Sequence, residues 1–284
     1  MFGERKTTVR PANPSDRNTI LTLIRFETHG HAHLDWKPVE DWLGTQPYLL
    51  AERGRRALGA LAAPPDPTDT AWLRLFVTVD DLPPAELWNL LWPRAAAALV
   101  EAGVHTAAAL SLDGWIDPLV KSAGFQQTHS VVVLSRRRAP APALRPTPAH
   151  IRLAQPADYD AVAATDFSAF TSPWQMSAAV ISDAIRRADY LTVAEVQGAI
   201  VGYQLTTPTS QGAHLARLAV QPAWQGQGIG AALVADLIDH SARRNYRELT
   251  VNTQDNNAGS LAVYQRMGFV RSSVQYPVYL LALR

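Results

Sequence analysis

The feature that most constrains the fold is a glycine-rich loop at residues 225–230, between an apolar run and a long amphipathic segment. Three glycines alternate with larger residues in this loop, and glycine lets the backbone take positive φ angles and approach a ligand closely. Successive backbone N–H groups can then point into one concavity, which suits phosphate oxygens. The loop therefore predicts a phosphate-binding turn that follows a strand.

The segment after the loop has the spacing of a helix with one buried face, because Ile229, Leu233 and Leu237 recur every four residues. A helix that begins here would direct its unpaired amides and the positive end of its dipole at the same anion. A glycine-rich turn that enters a helix and binds nothing has the same local pattern. The loop alone leaves both interpretations open.

A second segment of the sequence helps to decide between a phosphate-binding loop and a glycine-rich turn that binds nothing. Residues 257–269 are typical of a helix that ends at a glycine before a final strand. The loop Q-G-Q-G-I-G resembles the Q/R-x-x-G-x-G/A loop of the GCN5-related N-acetyltransferases, the GNAT family. Asn257, Ser260, Tyr264, Gly268 and Phe269 resemble the N-x-x-S/A-x-x-x-Y-x-x-x-G-F segment of that family. The resemblance covers residues 149–284. A Rossmann site fits poorly, because no acidic residue follows at the right distance to bind a ribose.

Composition limits the possible classes of protein. The chain has 284 residues, 47% of them hydrophobic and 18% charged, which suits a soluble protein with two sizeable cores. A net charge of +1 gives no electrostatic argument for a nucleic-acid partner. The absence of cysteine excludes disulfides and a cysteine nucleophile. The first ten residues lack an apolar signal region, and no apolar run reaches about 18 residues. We therefore expect a cytoplasmic protein without a membrane partner, as a monomer or a homodimer.

The chain divides near its middle. Prolines at residues 139–148 favour an extended linker between a first domain, residues 1–138, and a second, residues 149–284. The arginines at 136–138 are expected to be solvated beside this linker, with contact to nucleic acid or membrane as the alternative. The two halves resemble each other at an offset of 142 to 144, for example at residues 9–16 and 151–158. The predicted fold class is α/β, with two tandem GNAT-like domains, each a twisted, mixed, mostly antiparallel sheet flanked by helices.

The first half departs from the family pattern where the second half follows it. After the matching strand it has Asp80, Asp81 and Glu86 and no glycine, and those carboxylates would repel phosphate. The positions that match Tyr264 and Asn257 are Val120 and Asp113. We therefore expect a degenerate first domain that holds no acetyl-CoA and either shapes the substrate cleft or stabilises the second domain.

The resemblance implies acetyl-CoA as the co-substrate of the second domain, and no metal. The strand before the glycine-rich loop would bind the pantetheine arm of acetyl-CoA along its edge, as a peptide adds to a sheet. A backbone amide near Leu218 would donate a hydrogen bond to the oxyanion that forms in the reaction. The residues that the resemblance places around acetyl-CoA are Leu218, Ala219, Val220, Gln225, Gly226, Gln227, Gly228, Ile229, Gly230 and Asn257.

Catalytic residues are harder to assign. The resemblance makes Tyr264 the proton donor to the leaving thiolate, while core packing is the plainer alternative. His214 is a possible general base because histidine titrates near neutrality, or it is simply solvated, and Glu195 is a weaker candidate. Arg217 either binds an acidic group of the substrate or faces solvent at a sheet edge.

The acceptor is left open between a small amine, an amino sugar and a protein N-terminus. An aromatic stretch containing Phe167, Phe170 and Trp174 forms either an acceptor wall or part of the core, and residues 29–33, with three alternating histidines, suit zinc only weakly. The predicted function is transfer of an acetyl group to a primary amine by the second domain. A non-catalytic acyl-CoA-binding module is the alternative.

Overall fold

The computed structural model describes residues 6–284, which form two compact units. The first unit contains the described residues up to Thr128 together with Pro277–Arg284, and the second contains His129–Tyr276. Each unit contains mostly antiparallel strands with one parallel pair, flanked by helices. The predicted fold class, a tandem pair of such domains, is confirmed.

The first unit is built from short strands around helices. Its elements in chain order are β1 (Thr7–Pro11), α1 (Arg17–Phe26), β2 (His29–Ala32), β3 (Tyr48–Arg53), β4 (Arg56–Ala62), β5 (Thr70–Trp72), β6 (Leu75–Thr78), α2 (Pro84–Glu101), β7 (Thr106–Leu110), α3 (Asp117–Ser122) and the start of β8 (Gln126–Arg137). Five strands form an antiparallel sheet in the order β1-β3-β4-β6-β2, and β5 runs parallel to β7.

The second unit carries the predicted loop and helix. Its further elements are β9 (His150–Leu153), α4 (Tyr159–Ala169), α5 (Ala178–Arg187), β10 (Tyr190–Val196), β11 (Ala199–Pro208), β12 (Gly212–Val220), α6 (Ile229–Arg243), β13 (Glu248–Gln254), α7 (Ala258–Arg266) and the first part of β14 (Val270–Ala282). Its strands are ordered β8-β13-β12-β11-β10-β9, and only β12 and β13 are parallel.

The division between the units differs from the one expected at residues 139–148. By sequence, β8 is the last strand of the first repeat, yet it pairs with β13 from Glu248 to Gln254 inside the second unit. The end of β14, by sequence the last strand of the second repeat, pairs with β7 inside the first unit. A strand belongs to the sheet that binds its backbone, and no local sequence pattern specifies that partner.

The structure contradicts the expectation that Arg136 is solvated together with the two arginines that follow it. Its side chain is only 6% exposed, and its guanidinium donates to the backbone carbonyls of Met267, Ala139 and Pro140 at 2.7 to 2.8 Å. Arg136 therefore anchors the first linker residues to the end of α7. Arg137 and Arg138 are exposed, as expected.

Both units contain the same ion-pair arrangement near their first strand. Arg10 donates to Asp16 and Glu52 at 2.7 to 3.0 Å. At the matching place in the second unit, Arg152 donates to Asp158 at 2.7 and 2.9 Å and to Glu195 at 2.7 Å. This shared arrangement supports the interpretation of the chain as two copies of one fold.

The helical spacing predicted after the loop produces the core of the second unit. Leu233, Leu237 and Val234 of α6 are fully buried. Val234 and Leu237 pack in a cluster with residues of β12 and β13 and with Met267, whereas Leu233 packs with residues of β10 and β11. Burying an aliphatic side chain of this size stabilises a fold by about 1.5–3 kcal/mol, so α6 is held firmly where its first turn meets the loop.

Candidate active site

The candidate site begins where two parallel strands separate. β12 pairs with β13 from Gly212 to Leu215, opposite Glu248 to Val251. Beyond Leu215, β12 keeps its antiparallel partner β11, while β13 continues with β8. In the described part of the chain, no strand pairs with the β13-facing edge of β12 over residues 216–220. Alternate backbone N–H and C=O groups of this edge can therefore pair with an extended ligand.

A β-bulge lies on β12 next to the point of separation. Leu205 of β11 is opposite Arg217, and Thr206 is opposite Leu215, so Ala216 is an extra residue on β12. A bulge disrupts the regular ladder and changes the direction of nearby backbone groups. The predicted oxyanion amide near Leu218 lies just beyond this irregularity.

The glycine-rich loop continues from the free edge, as predicted. Gly226 and Gly228 have φ angles of 77° and 81°, which non-glycine residues rarely adopt. A Cβ atom added to either glycine would meet no described atom within 4 Å, so the space in front of them is open. At Gly230 an added Cβ would lie 3.9 Å from Val220, so this glycine packs close to the end of the strand.

Helix α6 begins directly on this loop. Gly228 is its N-cap residue, and the first helical hydrogen bond runs from the Ala232 amide to the Gly228 carbonyl at 3.0 Å. The amides of Ile229, Gly230 and Ala231 precede that bond and lack intrahelical acceptors. The Gln225 side chain donates to the Val220 carbonyl at 3.0 Å, which ties the loop to the strand end. The structure thus brings together the predicted residues 218–220 and 225–230.

Asn257 has a local structural role that the sequence motif did not indicate. Its side-chain oxygen accepts the Ser260 amide at 3.1 Å and caps α7, and its amide nitrogen donates to Gln254 at 3.2 Å. An N-cap of this kind contributes about 1 kcal/mol to helix stability. Its assignment to acetyl-CoA stays a prediction.

Tyr264 lies in the core of the second unit. It is 4% exposed and packs with Met267 and with Phe269, whose ring centroid is 5.8 Å away. Burial raises the pKa of the Tyr264 phenol above its ordinary value and makes it a weaker acid. The hydroxyl carries its proton at neutral pH, as any ordinary phenol does. The side chain therefore packs in the core and remains a proton donor, and its catalytic role stays a prediction.

His214 lies at the last parallel pairs before the strands separate. Its Nδ1 is 2.9 Å from the Thr250 hydroxyl on β13. Ala213 and Leu215 pack in the cluster on the α6 side, so strand alternation places His214 on the opposite face. Desolvation lowers the pKa of His214, so the imidazole is neutral near pH 7 and able to accept a proton.

Arg217 is neither solvent-facing nor available to a substrate carboxylate, contrary to both expectations. It donates to both oxygens of Asp166 at 2.7 and 3.0 Å, and Asp166 is 0% exposed. The Tyr203 hydroxyl donates to the same carboxylate at 2.6 Å. The guanidinium also donates to the Trp174 carbonyl at 2.9 Å and lies 3.6 Å from the centroid of Phe170. This network joins β11 and β12 to α4.

The contacts of Arg217 also show where most of the aromatic stretch predicted from the sequence lies. Phe170 and Trp174 are held against the sheet through Arg217, whereas Phe167 is 54% exposed. Glu195, the weaker base candidate, is engaged by Arg152. A carboxylate held in an ion pair is a poor proton acceptor, so Glu195 is unsuited to that role.

Asn252 is a candidate that the sequence analysis missed. It is exposed although it lies in the interior of β13, one residue after the last pair with β12. Leu249 and Val251 pack on the α6 side, so alternation places Asn252 on the face that carries His214. The sequence does show a polar residue between Val251 and Thr253 in an otherwise buried strand. Whether Asn252 is exposed depends on the separation of β12 from β13, which the sequence pattern does not show.

The first unit has the same separation of strands, but its edge is filled. β5 runs parallel to β7, as β12 does to β13. β6 then pairs with β4 on one edge and with β2 on the other, where His29–Ala32 lie opposite Thr78–Leu75. Residues 75–78 correspond to 217–220, whose edge is free. The matching segment of the second unit, residues 171–174, contains no strand.

The turn after β6 also differs from the glycine-rich loop. Asp80 accepts the Thr28 amide and hydroxyl at 2.9 Å, and Asp81 accepts both terminal nitrogens of Arg56. Pro83 and Pro84 begin α2 and have no amide hydrogen to offer an anion. This turn therefore offers an anion fewer free backbone amides than the glycine-rich loop does. That the first domain holds no acetyl-CoA stays a prediction.

The three histidines on and beside β2 serve packing. The Nε2 atom of His31 lies 3.2 Å from the Leu73 carbonyl, and burial lowers the pKa of His31 to about 4. The His33 ring stacks on Trp72 at 4.8 Å. Across residues 6–284, no group of three or more histidines and carboxylates is arranged to hold a metal ion. In the same range, no helix is long and apolar enough to cross a membrane.

The splayed parallel strands, the bulge and the glycine-rich helix start lie together in the second unit. Residues 155–278 match the family model of the acetyltransferase (GNAT) domain. Residues 155–278 of the second unit are therefore similar to a GNAT domain.

Two curated relatives and one solved structure illustrate the similarity. The chain is 30% identical over 82 residues to the [ribosomal protein bS18]-alanine N-acetyltransferase of Escherichia coli K12. The aligned residues cover 29% of this chain and 55% of that relative. It is 32% identical over 137 residues to the mycothiol acetyltransferase of Amycolatopsis mediterranei, covering 42% of this chain and 46% of that protein. The chain thus spans about half the length of these relatives.

A tandem GNAT protein from the clavulanic acid biosynthesis pathway shares the fold over nearly the whole chain. The TM-score is 0.65, with 98% of this chain and 99% of that protein covered. Because the identity is 18%, this likeness concerns the fold alone.

Proposed function

We propose that the protein is an N-acetyltransferase whose second unit binds acetyl-CoA and transfers its acetyl group to a primary amine. The observation that carries this proposal is the continuity of the free β12 edge, residues 216–220, with the glycine-rich start of α6. An extended amide-bearing arm and a pyrophosphate are the two chemical parts that such a surface accommodates.

The chain's own groups fit acetyl-CoA on structural grounds. A side chain at Gly226 or Gly228 would project into open space and strain a backbone with φ of 77° or 81°. The unpaired first-turn amides of α6 suit an anion. Residues 218–220 would hold the pantetheine amides, residues 225–230 the pyrophosphate, and Asn257 would approach from α7. When bound, acetyl-CoA would supply an activated thioester.

His214 and Tyr264 have separate proposed roles in proton transfer, and Asn252 has a proposed role in binding the acceptor. His214, neutral at pH 7, would take a proton from the acceptor amine, while the Thr250 hydroxyl fixes the orientation of its ring. Tyr264, which is protonated at neutral pH like any phenol, would donate a proton to the leaving sulfur. Asn252, exposed on the same face as His214, would hydrogen-bond the acceptor and orient it.

The acceptor is proposed only as a primary amine. One relative is named for the alanine of ribosomal protein bS18, and another for mycothiol. Both names agree with an amine acceptor, but they differ in its size. In the first unit, the filled β6 edge and the acidic turn favour a supporting role, so we propose one acetyl-CoA per chain.

The experiment is calorimetric titration of acetyl-CoA into the wild type, Gly228→Asp and Gly103→Asp. Gly103 is a matched control, because its φ of 77° is similar and an added Cβ also meets open space, but it lies in the first unit. Binding of one equivalent, lost in Gly228→Asp and kept in Gly103→Asp, is expected. Failure of the folded wild type to bind, or binding of two equivalents, would contradict the proposal.

A further inference from the structure

A cavity of the second unit lies at the other end of β12 from the glycine-rich loop. Its volume is about 670 Å³, within the usual range for small-molecule sites of roughly 300–1,000 Å³. Its lining residues come from the end of β8, the turn before β12 and the segment between α6 and β13: Arg137, Arg138, Gln211, Asn245, Tyr246, Arg247 and Glu248. β12 spans nine residues, so about 25–30 Å of strand separates this cavity from the loop.

Backbone pairing places like charges together in this cavity. Arg137 is opposite Glu248 at the end of the β8–β13 ladder. The next residues outward are Arg138 and Arg247, and the Arg138 amide donates to the Arg247 carbonyl at 3.3 Å. Two guanidinium groups are therefore attached to directly opposed backbone positions, an arrangement that is destabilising in the absence of an anion.

Side chains in the described part of the chain neutralise this charge only in part. Within residues 6–284, the structure shows no ion pair or side-chain hydrogen bond from Arg137, Arg138 or Arg247, although it pairs Arg152 and Arg217 at short distances. Glu248 is the one carboxylate of the lining. Three guanidinium groups and one carboxylate leave a net charge of about +2, with up to five N–H donors on each guanidinium.

The walls of the cavity are fixed by the backbone. Gln211 accepts the Arg247 and Glu248 amides at 3.0 and 3.3 Å. Asn245 takes a left-handed conformation, with φ of 56°, which ends the turn after α6. The Tyr246 hydroxyl donates to Asp189 at 2.8 Å and holds its ring in the wall. These contacts hold the backbone at the base of the arginines in place.

We propose that this cavity binds a phosphate-bearing ligand through Arg138 and Arg247, with Arg137 as an additional contact. Guanidinium groups form paired hydrogen bonds with phosphate oxygens, and an anion between the opposed arginines removes their repulsion. The site is independent of the proposed acetyl-CoA loop. Its ligand chemistry is a phosphate ester or pyrophosphate, carried by a small molecule or by a nucleic-acid backbone.

The test uses the full chain with Gly228→Asp, so that the glycine-rich loop does not contribute. Inorganic pyrophosphate is titrated by calorimetry into this protein, into the same protein with Arg138→Gln and Arg247→Gln, and into it with Arg187→Gln. Arg187 is an exposed arginine in the last turn of α5 and is not part of the cavity lining. We expect affinity to fall at least tenfold in the first variant and less than twofold in the second.

A fluorescein-labelled single-stranded RNA identifies the source of the phosphate. RNA that binds more tightly than pyrophosphate, with the same dependence on Arg138 and Arg247, would indicate a nucleic-acid backbone as the ligand. Binding of pyrophosphate without tighter binding of RNA would indicate a small phosphate ester. Absence of binding by both probes at millimolar concentration would overturn the proposal. An equal loss in the Arg187→Gln control would overturn it too. Circular dichroism checks that each variant is folded.

Discussion

Arg217→Met tests the buried ion pair that holds β12 against α4. In the wild type, Asp166 accepts two hydrogen bonds from Arg217 and one from Tyr203. Burial opposes the charge of Arg217, but the hydrogen bond and the charge of Asp166 outweigh it and raise the pKa of the guanidinium. After the substitution, a fully buried carboxylate keeps only the Tyr203 hydroxyl from this set.

The expected magnitude follows from that geometry. Removing one partner of a buried ion pair costs roughly 3–5 kcal/mol, because it leaves an uncompensated charge. For a domain of this size each kcal/mol lowers Tm by roughly 2–4 °C, so we expect a fall of about 10 °C. Replacing the carboxylate as well, in Arg217→Met with Asp166→Leu, should recover most of the loss because the buried charge is gone.

The assay is urea unfolding followed by circular dichroism at pH 7.5, with thermal unfolding of the same samples for Tm. The free energy of unfolding and the Tm of Arg217→Met are compared with those of the wild type and of the double variant.

Arg56→Met is the control, because Arg56 pairs with Asp81 in a fully exposed bridge. Exposed pairs of this kind contribute little, so no measurable change is expected. A loss in Arg217→Met that is no larger than in this control would refute the reasoning. It would mean that Asp166 gains water or another donor when Arg217 is removed.

Three further predictions concern the proposed reaction, measured with an amine that the wild type acetylates. Tyr264→Phe should lower kcat about 100-fold at unchanged affinity for acetyl-CoA, since it removes only a proton donor; unchanged kcat would assign Tyr264 to packing alone. His214→Ala should abolish the fall in kcat/KM at low pH, because desolvation lowers the pKa of His214 and the wild type loses its base below that value. A pH profile with the same acidic limb would show that another group is the base. Asn252→Ala should raise KM for the amine about tenfold without changing acetyl-CoA binding, and an equal effect on both substrates would instead indicate damage to β13.

The local features of the site could be predicted from the sequence. The glycine pattern, the positive φ angles at Gly226 and Gly228 and the start of α6 depend on a few consecutive residues. The same holds for the acidic, proline-containing turn after Thr78, which lacks the amides of the glycine-rich loop. The resemblance between the halves also predicted two copies of one fold, since equal residues at equal spacing form equal elements.

The residues that sequence analysis misjudged depend on distant partners. Arg217 could be placed on a strand but not beside Asp166, which is 51 residues away. Arg136 was expected in solvent because its neighbours are arginines and prolines, yet Met267 accepts its hydrogen bond from 131 residues away. Asn252 is exposed because β12 leaves β13, and neither strand encodes that separation alone.

The sequence by itself therefore determined the fold class, the repeat and the glycine-rich conformation of one loop, because glycine, proline and helical periodicity act through the local backbone. Tertiary structure decided which strand edge is free. In the second unit, residues 216–220 of β12 are left without a strand partner on the β13 side in the described structure, while in the first unit β2 pairs along the matching edge of β6. A strand edge is open or closed only through the segment that pairs with it, and that choice is made when the chain packs.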